Sequence, residues 1–326
     1  MLSRVAESLY WMARYLERAE GSASLLHVHF HALLDTATDD RASNWKELIA
    51  IGGQDALFAE HVEKVDARTV TDFLLFNRAN PNAVVACVER ARENARSVRE
   101  QISSELWEHV NRLHHFVRDA RRESVLQAPH DFFARIREGS HAFQGIAKAT
   151  LTHGEAYAFL ELGAHLERAS LTGRVLNVKV GALERSAPGT DTAAQLIALL
   201  KSCGGFEELR RKETSSQLRS ERVVAFLLLD RAFPRSVLFC LETSLAMLTE
   251  IGGGVGETQR LLGRLCSELV FCDPRDLLVG PLWQRLDPLL ARIDEVGGDV
   301  AATFFNTQTI GAASVAVAAA QQQQQQ

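Results

Sequence analysis

The chain has 326 residues, 46% hydrophobic, 24% charged and 7% aromatic, with 36 Lys and Arg against 41 Asp and Glu and a formal net charge of -5. This composition excludes a collagenous or wholly disordered chain, and the missing basic excess argues against a dedicated nucleic-acid binder. Proline is scarce, 7 residues in all, and a chain so poor in helix breakers and rich in Ala, Leu, Arg and Glu is predicted to be all-α.

The first helix is predicted from about Arg4 to His31, with Val5, Leu9, Met12, Leu16, Ala19, Ala23 and Leu26 on one stripe at helical spacing. Glu7 and Arg14 interrupt the uncharged stretch that a signal peptide needs, and no run approaches the ~18 apolar residues of a membrane span. A cytoplasmic protein without a membrane partner is expected. Glu17 and Arg18 lie off the apolar stripe on the side that carries Tyr10 and Trp11. His27, His29 and His31 alternate at the end of this helix, and His27 and His31 share a face at i,i+4. They read as a solvated face, and no metal is expected.

Two shorter helices flank Gly52-Gly53, where glycine ends one and permits a tight turn. A short apolar helix holding Phe73 to Arg78 follows. Pro81 sits where a new helix begins, a place at which a missing N–H costs nothing. That helix is predicted to run past Glu89 to about Phe116 without Gly or Pro. Arg92, Glu93, Arg96, Arg99 and Glu100 give it a charged face, either solvated or the seat of a partner, while Trp107 and Leu113 are its anchors to the core. A further helical pair is predicted from about Asp131 to Ala147. The five cysteines, an odd number without close pairs, read as buried reduced thiols.

The second half of the chain repeats the first. Leu16-Glu17-Arg18-Ala19 recurs as Leu166-Glu167-Arg168-Ala169, and Gly52-Gly53 as Gly204-Gly205. Downstream, Phe73, Arg78, Pro81, Cys87 and Glu89 match Phe226, Arg231, Pro234, Cys240 and Glu242. Three blocks in one order at nearly one offset indicate tandem duplication. The expected architecture is a multi-helix bundle over 1–302, built from two similar halves of about 1–149 and 150–302 around a pseudo-two-fold axis. Residues 303–326, Ala/Val-rich and then polyglutamine, are expected to be a low-complexity disordered tail.

The polar residues allow two readings. Glu17, Arg18, Glu167 and Arg168 form an ion-pair lattice that fixes helix register, with partners drawn from Arg14, Glu20, Asp72, Arg78, Asp230 and Arg231. Alternatively they line a polar cleft between the halves with Arg78 and Arg231, where arginines suit a carboxylate or phosphate. The chain contains no glycine-rich phosphate loop, Walker motif, GxSxG elbow or paired CxxC, so no cofactor of its own is expected.

The opening SLYWMARYLERAE, the segment ARENARSVREQISSELWEHVN, the second LGAHLERA and the block FLLLDRAFPRSVLFCLE together resemble the bacterial Alpha-E family, helical domains with a Glu-Arg motif. The resemblance spans about Met1 to Ala302. It places the motif on Glu17-Arg18 and Glu167-Arg168, and a second polar pair on Asp230-Arg231. Ser170 stands where an acid matching Glu20 is usual, and Asn77 where one matches Asp230. The resemblance implies a circularly permuted ATP-grasp protein as partner, often accompanied by a transglutaminase-like protein and a proteasome-like peptidase. The function it implies is that of an accessory subunit of an ATP-dependent amide- or peptide-forming system, binding the ligase and positioning its substrate. Two alternatives stay open: an enzyme using the Glu/Arg cleft on an acyl or amino substrate, and a structural bundle that forms homo-oligomers.

Overall fold

A computed structural model describes residues 1–35, 41–185, 192–212, 218–252, 256–276 and 280–305. Among them are helices α1 (Ser3–Asp35), α2 (Arg41–Gly52), α3 (Asp55–His61), α4 (Ala67–Leu75), α5 (Val84–Ser97), α6 (Ser104–Asp119), α7 (Arg122–Gln127) and α8 (His130–Thr150). There follow α9 (Glu155–Arg185), α10 (Thr192–Ser202), α11 (Phe206–Lys212), α12 (Ser220–Leu229), α13 (Val237–Ile251), α14 (Glu257–Val270) and α15 (Trp283–Phe304). Short 3-10 turns cover Arg99–Gln101 and Pro274–Asp276, and no strand occurs among the described residues. The fold is all-α. No described helix is long and apolar enough to cross a membrane. Most of the tail expected over 303–326 lies outside the described residues; its first residues complete α15.

Two long helices form the centre. α1 packs along α9; α5 and α8 flank α1, while α13 and α15 flank α9. A helix enclosed in this way must be apolar over more than one stripe. α1 accordingly buries Tyr10 and Ala13 as well as Leu9, Met12, Leu16, Ala23 and Leu26, and α9 buries nearly every residue from Ala158 to Ser170. The two helices touch backbone to backbone at Gly163: a Cβ there would lie 2.3 Å from the Tyr10 carbonyl oxygen. Gly53 and Gly204, both at φ 63, turn the chain from α2 into α3 and from α10 into α11. This left-handed conformation is one that only glycine adopts without strain.

Three boundaries differ from those expected. The single helix from Pro81 to about Phe116 is two: α5 ends at Ser97, Ile102 is extended, and α6 restarts where Ser103 Oγ accepts the Leu106 N–H at 3.1 Å. A serine N-cap separates two helices without glycine or proline. Pro81 and Pro234 lie in turns before their helices, which start at Val84 and Val237. Ser236 caps the latter by accepting from the Phe239 N–H. The helical pair from about Asp131 to Ala147 is one helix, α8, which stays continuous through Gly139-Ser140 because Gly139 is packed against Leu113.

The five cysteines are present as thiols, four of them buried. Burial pushes Cys87, Cys203, Cys240 and Cys266 up to about 12, which leaves them unreactive core groups.

Candidate functional site

Glu17 and Arg18 are adjacent on α1, so their side chains leave the helix about 100° apart and cannot chelate one another. Each instead reaches across to α9. Arg18 donates from Nε and Nη2 to the two oxygens of Glu167 at 2.7 and 2.9 Å. Arg168 donates from Nη2 and Nε to the two oxygens of Glu17 at 2.6 and 3.1 Å. The motif thus forms two crossed, two-pronged pairs between the central helices. Each pair has a helper: Arg14 Nε donates to Glu167 Oε2 at 2.8 Å, and Gln144 of α8 donates to Glu17. The guanidiniums are tied onward, Arg18 Nη1 to Asn82 Oδ1 at 2.7 Å and Arg168 Nη1 to the Pro234 carbonyl at 3.4 Å. A third pair lies beside them. Arg235 Nη1 donates to Glu20 Oε2 at 3.0 Å, Ser24 Oγ donates to the other Glu20 oxygen at 2.7 Å, and His141 stands 3.7 Å away.

The carboxylates are all deeply buried: Glu17, Glu20 and Glu167 are 3%, 2% and 8% exposed. Burial alone would raise the Glu167 carboxyl, but Arg14 and Arg18 overcome it and hold it down at about 2. Burial likewise opposes the charge on Arg168, yet Glu17 carries its pKa above the ordinary arginine value. Glu20 is lowered by Arg235, Ser24 and His141 against its own desolvation. Three carboxyl groups and four arginines are thus paired with one another along this seam. Charges buried so thoroughly persist only when every lone pair and N–H is directed at a partner, and the planar fork of arginine supplies that match.

Arg78, Asp230 and Arg231 are elsewhere. Each belongs to an outward turn after α4 or α12, which carries it away from the α1–α9 seam. Asp230 accepts from the Ala232 and Phe233 N–H groups, both at 2.9 Å, and pairs with Lys212. Arg231 is exposed and pairs with Glu242 at 2.6 Å. Arg78 is exposed in a groove of about 770 Å³ that also contains Glu89 and Arg92. The structure does not bring these three to the Glu-Arg pairs. The residues it adds there are Arg235, Gln144, Asn82 and His141, none of which the sequence reading placed at the motif. One signal was present: position 82 is Asn where its repeat match is Arg235, and position 170 is Ser where its match is Glu20.

A second groove, about 830 Å³, runs between the start of α1 and α5 and shares Glu89 and Glu93 with the first. Trp11 and Tyr15 stack there at 5.5 Å, and the Arg90 guanidinium lies 5.7 Å from the Tyr15 ring. Further along α1, the expected solvated histidine face is only partly so. His29 is buried with its ring 4.2 Å from that of Trp45, and burial pushes it down to about 3. His27 and His31 meet His130 of α8, and burial together with the Arg137 charge lowers His27 to about 4.

The chain resembles uncharacterised proteins of Mycobacterium bovis and Mycobacterium tuberculosis, each 26% identical over 331 aligned positions. The alignment covers 94% of this chain and 37% of theirs, so the chain spans little more than a third of the length of these relatives. No solved structure matches it. Residues 1–305 match the family model described as a predicted alpha-helical domain with a conserved ER motif. With that motif present twice and cross-paired between the two central helices, the chain belongs to the Alpha-E family.

Proposed function

We propose that the chain is an accessory helical subunit of an ATP-dependent amide- or peptide-forming system, one that binds an ATP-grasp ligase and positions its substrate. The observation that carries this reading is the use of the Glu-Arg motif. Glu17, Glu167 and Arg168 are buried and Arg18 is half-buried, and the four are spent on one another, so they hold α1 against α9 rather than offering themselves for substrate chemistry. A rigid core under an open, charged surface suits a docking module better than an enzyme that would use these side chains as acid and base. The mycobacterial relatives carry the matching region as part of a much longer chain, as a module serving other domains does.

In this reading Glu17, Arg18, Glu167 and Arg168 keep the two central helices in register. The exposed Arg78 and Arg231 and the neighbouring Asp230 meet the partner, and the aromatic groove between α1 and α5 receives a substrate segment. The chain is read as two tandem copies of one unit in the cytoplasm. Support for duplication comes from the matched α1 and α9, the matched turns at Gly53 and Gly204, and the crossed motif.

Co-expression with a circularly permuted ATP-grasp protein from the same genome tests the proposal. The two proteins are expected to co-purify, and the ligase to turn over ATP faster in the complex. Arg78→Glu with Arg231→Glu is expected to weaken co-purification while leaving the melting temperature unchanged. A ligase that neither binds the chain nor changes rate in its presence rules the reading out.

A further inference from the structure

Ten residues beyond Glu17, about 15 Å along α1, three imidazoles from two helices converge. His27 and His31 stand one turn apart with ring centroids 4.6 Å from each other. His130, the first residue of α8, lies 5.9 Å from His27 and 5.0 Å from His31. One ring nitrogen of each falls within 4.8 Å of those of the other two. Among the described residues no other group of His, Cys, Asp and Glu meets this spacing. Nδ1 of His27 and Nδ1 of His130 are both shut off from solvent without a hydrogen-bond partner in the protein, an arrangement that folded proteins avoid unless the atom has another use. Phe133 meets the His27 ring edge-on at 6.4 Å and Phe30 meets the His130 ring at 6.1 Å, while His31 is exposed.

We propose that His27, His31 and His130 form a binding site for a late first-row divalent cation of the zinc type, which ties the end of α1 to the start of α8. Neutral imidazoles are the preferred nitrogen ligands of such ions. Tetrahedral binding with metal–nitrogen bonds of ~2.0–2.1 Å sets the nitrogens about 3.4 Å apart. The three rings reach this by a small inward rotation, because His31 is exposed and able to turn. Three histidines leave one tetrahedral position for water or a fourth ligand. The site belongs to one half of the chain, since Asn177 and Gly181 occupy the places that match His27 and His31. Sequence spacing could supply only two of the three ligands, because the third is 99 residues further on.

The test uses the full chain without a histidine tag, stripped with a chelator and titrated with zinc chloride by calorimetry, with bound metal counted by elemental analysis. One zinc per chain is expected. His31→Ala and His130→Gln are each expected to weaken binding by at least about tenfold, while His61→Gln, a change at an exposed histidine outside the group, leaves it unaltered. Cobalt in place of zinc gives a visible absorption band of tetrahedral type, lost in both variants. Circular dichroism confirms that His31→Ala, a surface change, is folded. Substoichiometric binding by the parent chain, or full binding that survives His31→Ala and His130→Gln, overturns the proposal.

Discussion

Glu167 is the side chain in which burial and charge oppose each other most plainly. It sits between Arg14 and Arg18 on the partner helix, and its carboxyl is held at about 2 although desolvation pushes the other way. Glu167→Gln leaves both guanidiniums facing a neutral amide inside the core, and removal of one member of a buried pair costs about 3–5 kcal/mol. A fall of that size in the free energy of urea unfolding is expected. The same residue sets an acid limit. A carboxyl whose pKa is lower in the folded chain than in the unfolded one contributes stability above the unfolded value and loses it as pH falls through the folded value. For Glu167 the window runs from about 4.5 to about 2, and the contribution at neutral pH is about 3 kcal/mol. Unfolding free energies measured across that window are expected to fall steeply in the parent chain and less steeply in Glu167→Gln, with Glu20 retaining part of the slope. Equal slopes would mean that the pair carries no such linkage. The adjacency of Glu and Arg, and its recurrence, could be read in the sequence. The crossing of the pairs could not, because which arginine meets which carboxylate depends on the register of two helices about 150 residues apart.

That register is an element-scale property, and Gly163 is where it is set. The α9 backbone comes so close to α1 that a methyl group at Gly163 would stand 2.3 Å from the Tyr10 carbonyl oxygen, an atom that cannot move without shifting α1 itself. Gly163→Ala is expected to push the helices apart, lengthen the Arg18–Glu167 and Arg168–Glu17 contacts and cost several kcal/mol. Gly145 gives the opposite result. It lies on the exposed face of α8, where a methyl group would have nothing within 4 Å, so Gly145→Ala gains about 0.5–1 kcal/mol from helix propensity alone. Thermal denaturation of the two variants, moving in opposite directions, checks both. Helical periodicity made α1 legible to within a few residues and the glycine pairs located two turns. The break between α5 and α6 was missed because its signal is a capping serine among ordinary polar residues, which becomes informative only when the backbone ahead of it is extended. Arg78 and Arg231 were misplaced for a related reason: a helix end just before them turns their side chains outward, and hydrophobic pattern does not encode that exit direction.

Over the whole molecule, α1 exchanges charges with α9 and with the turn before α13, and the exchange is not quite symmetric. Glu20 of α1 meets Arg235 in the turn before α13. At the positions that match them the chain has Ser170 and Asn82, so acid and base are missing together. A lone acid at 170 would be buried without a cation, since Ser170 is 5% exposed, and a lone arginine at 82 would add to the charge of Arg18, which Asn82 now accepts from. The Glu20–Arg235 contact therefore has no charged counterpart at positions 170 and 82. Ser170→Glu alone is therefore expected to destabilise the chain by a few kcal/mol, and Asn82→Arg alone by less, because position 82 is only half-buried. Combined, they place an acid and an arginine at the positions that match Glu20 and Arg235 in the sequence, and a double-mutant cycle is expected to show a favourable coupling of about 1–3 kcal/mol. The same cycle built on Glu20→Ser and Arg235→Asn measures the native pair and is expected to give coupling of the same sign. Additive effects in the first cycle beside strong coupling in the second would mean that the halves do not superpose at this seam, and that the repeat seen in the sequence does not extend to the geometry of the charges between the two central helices.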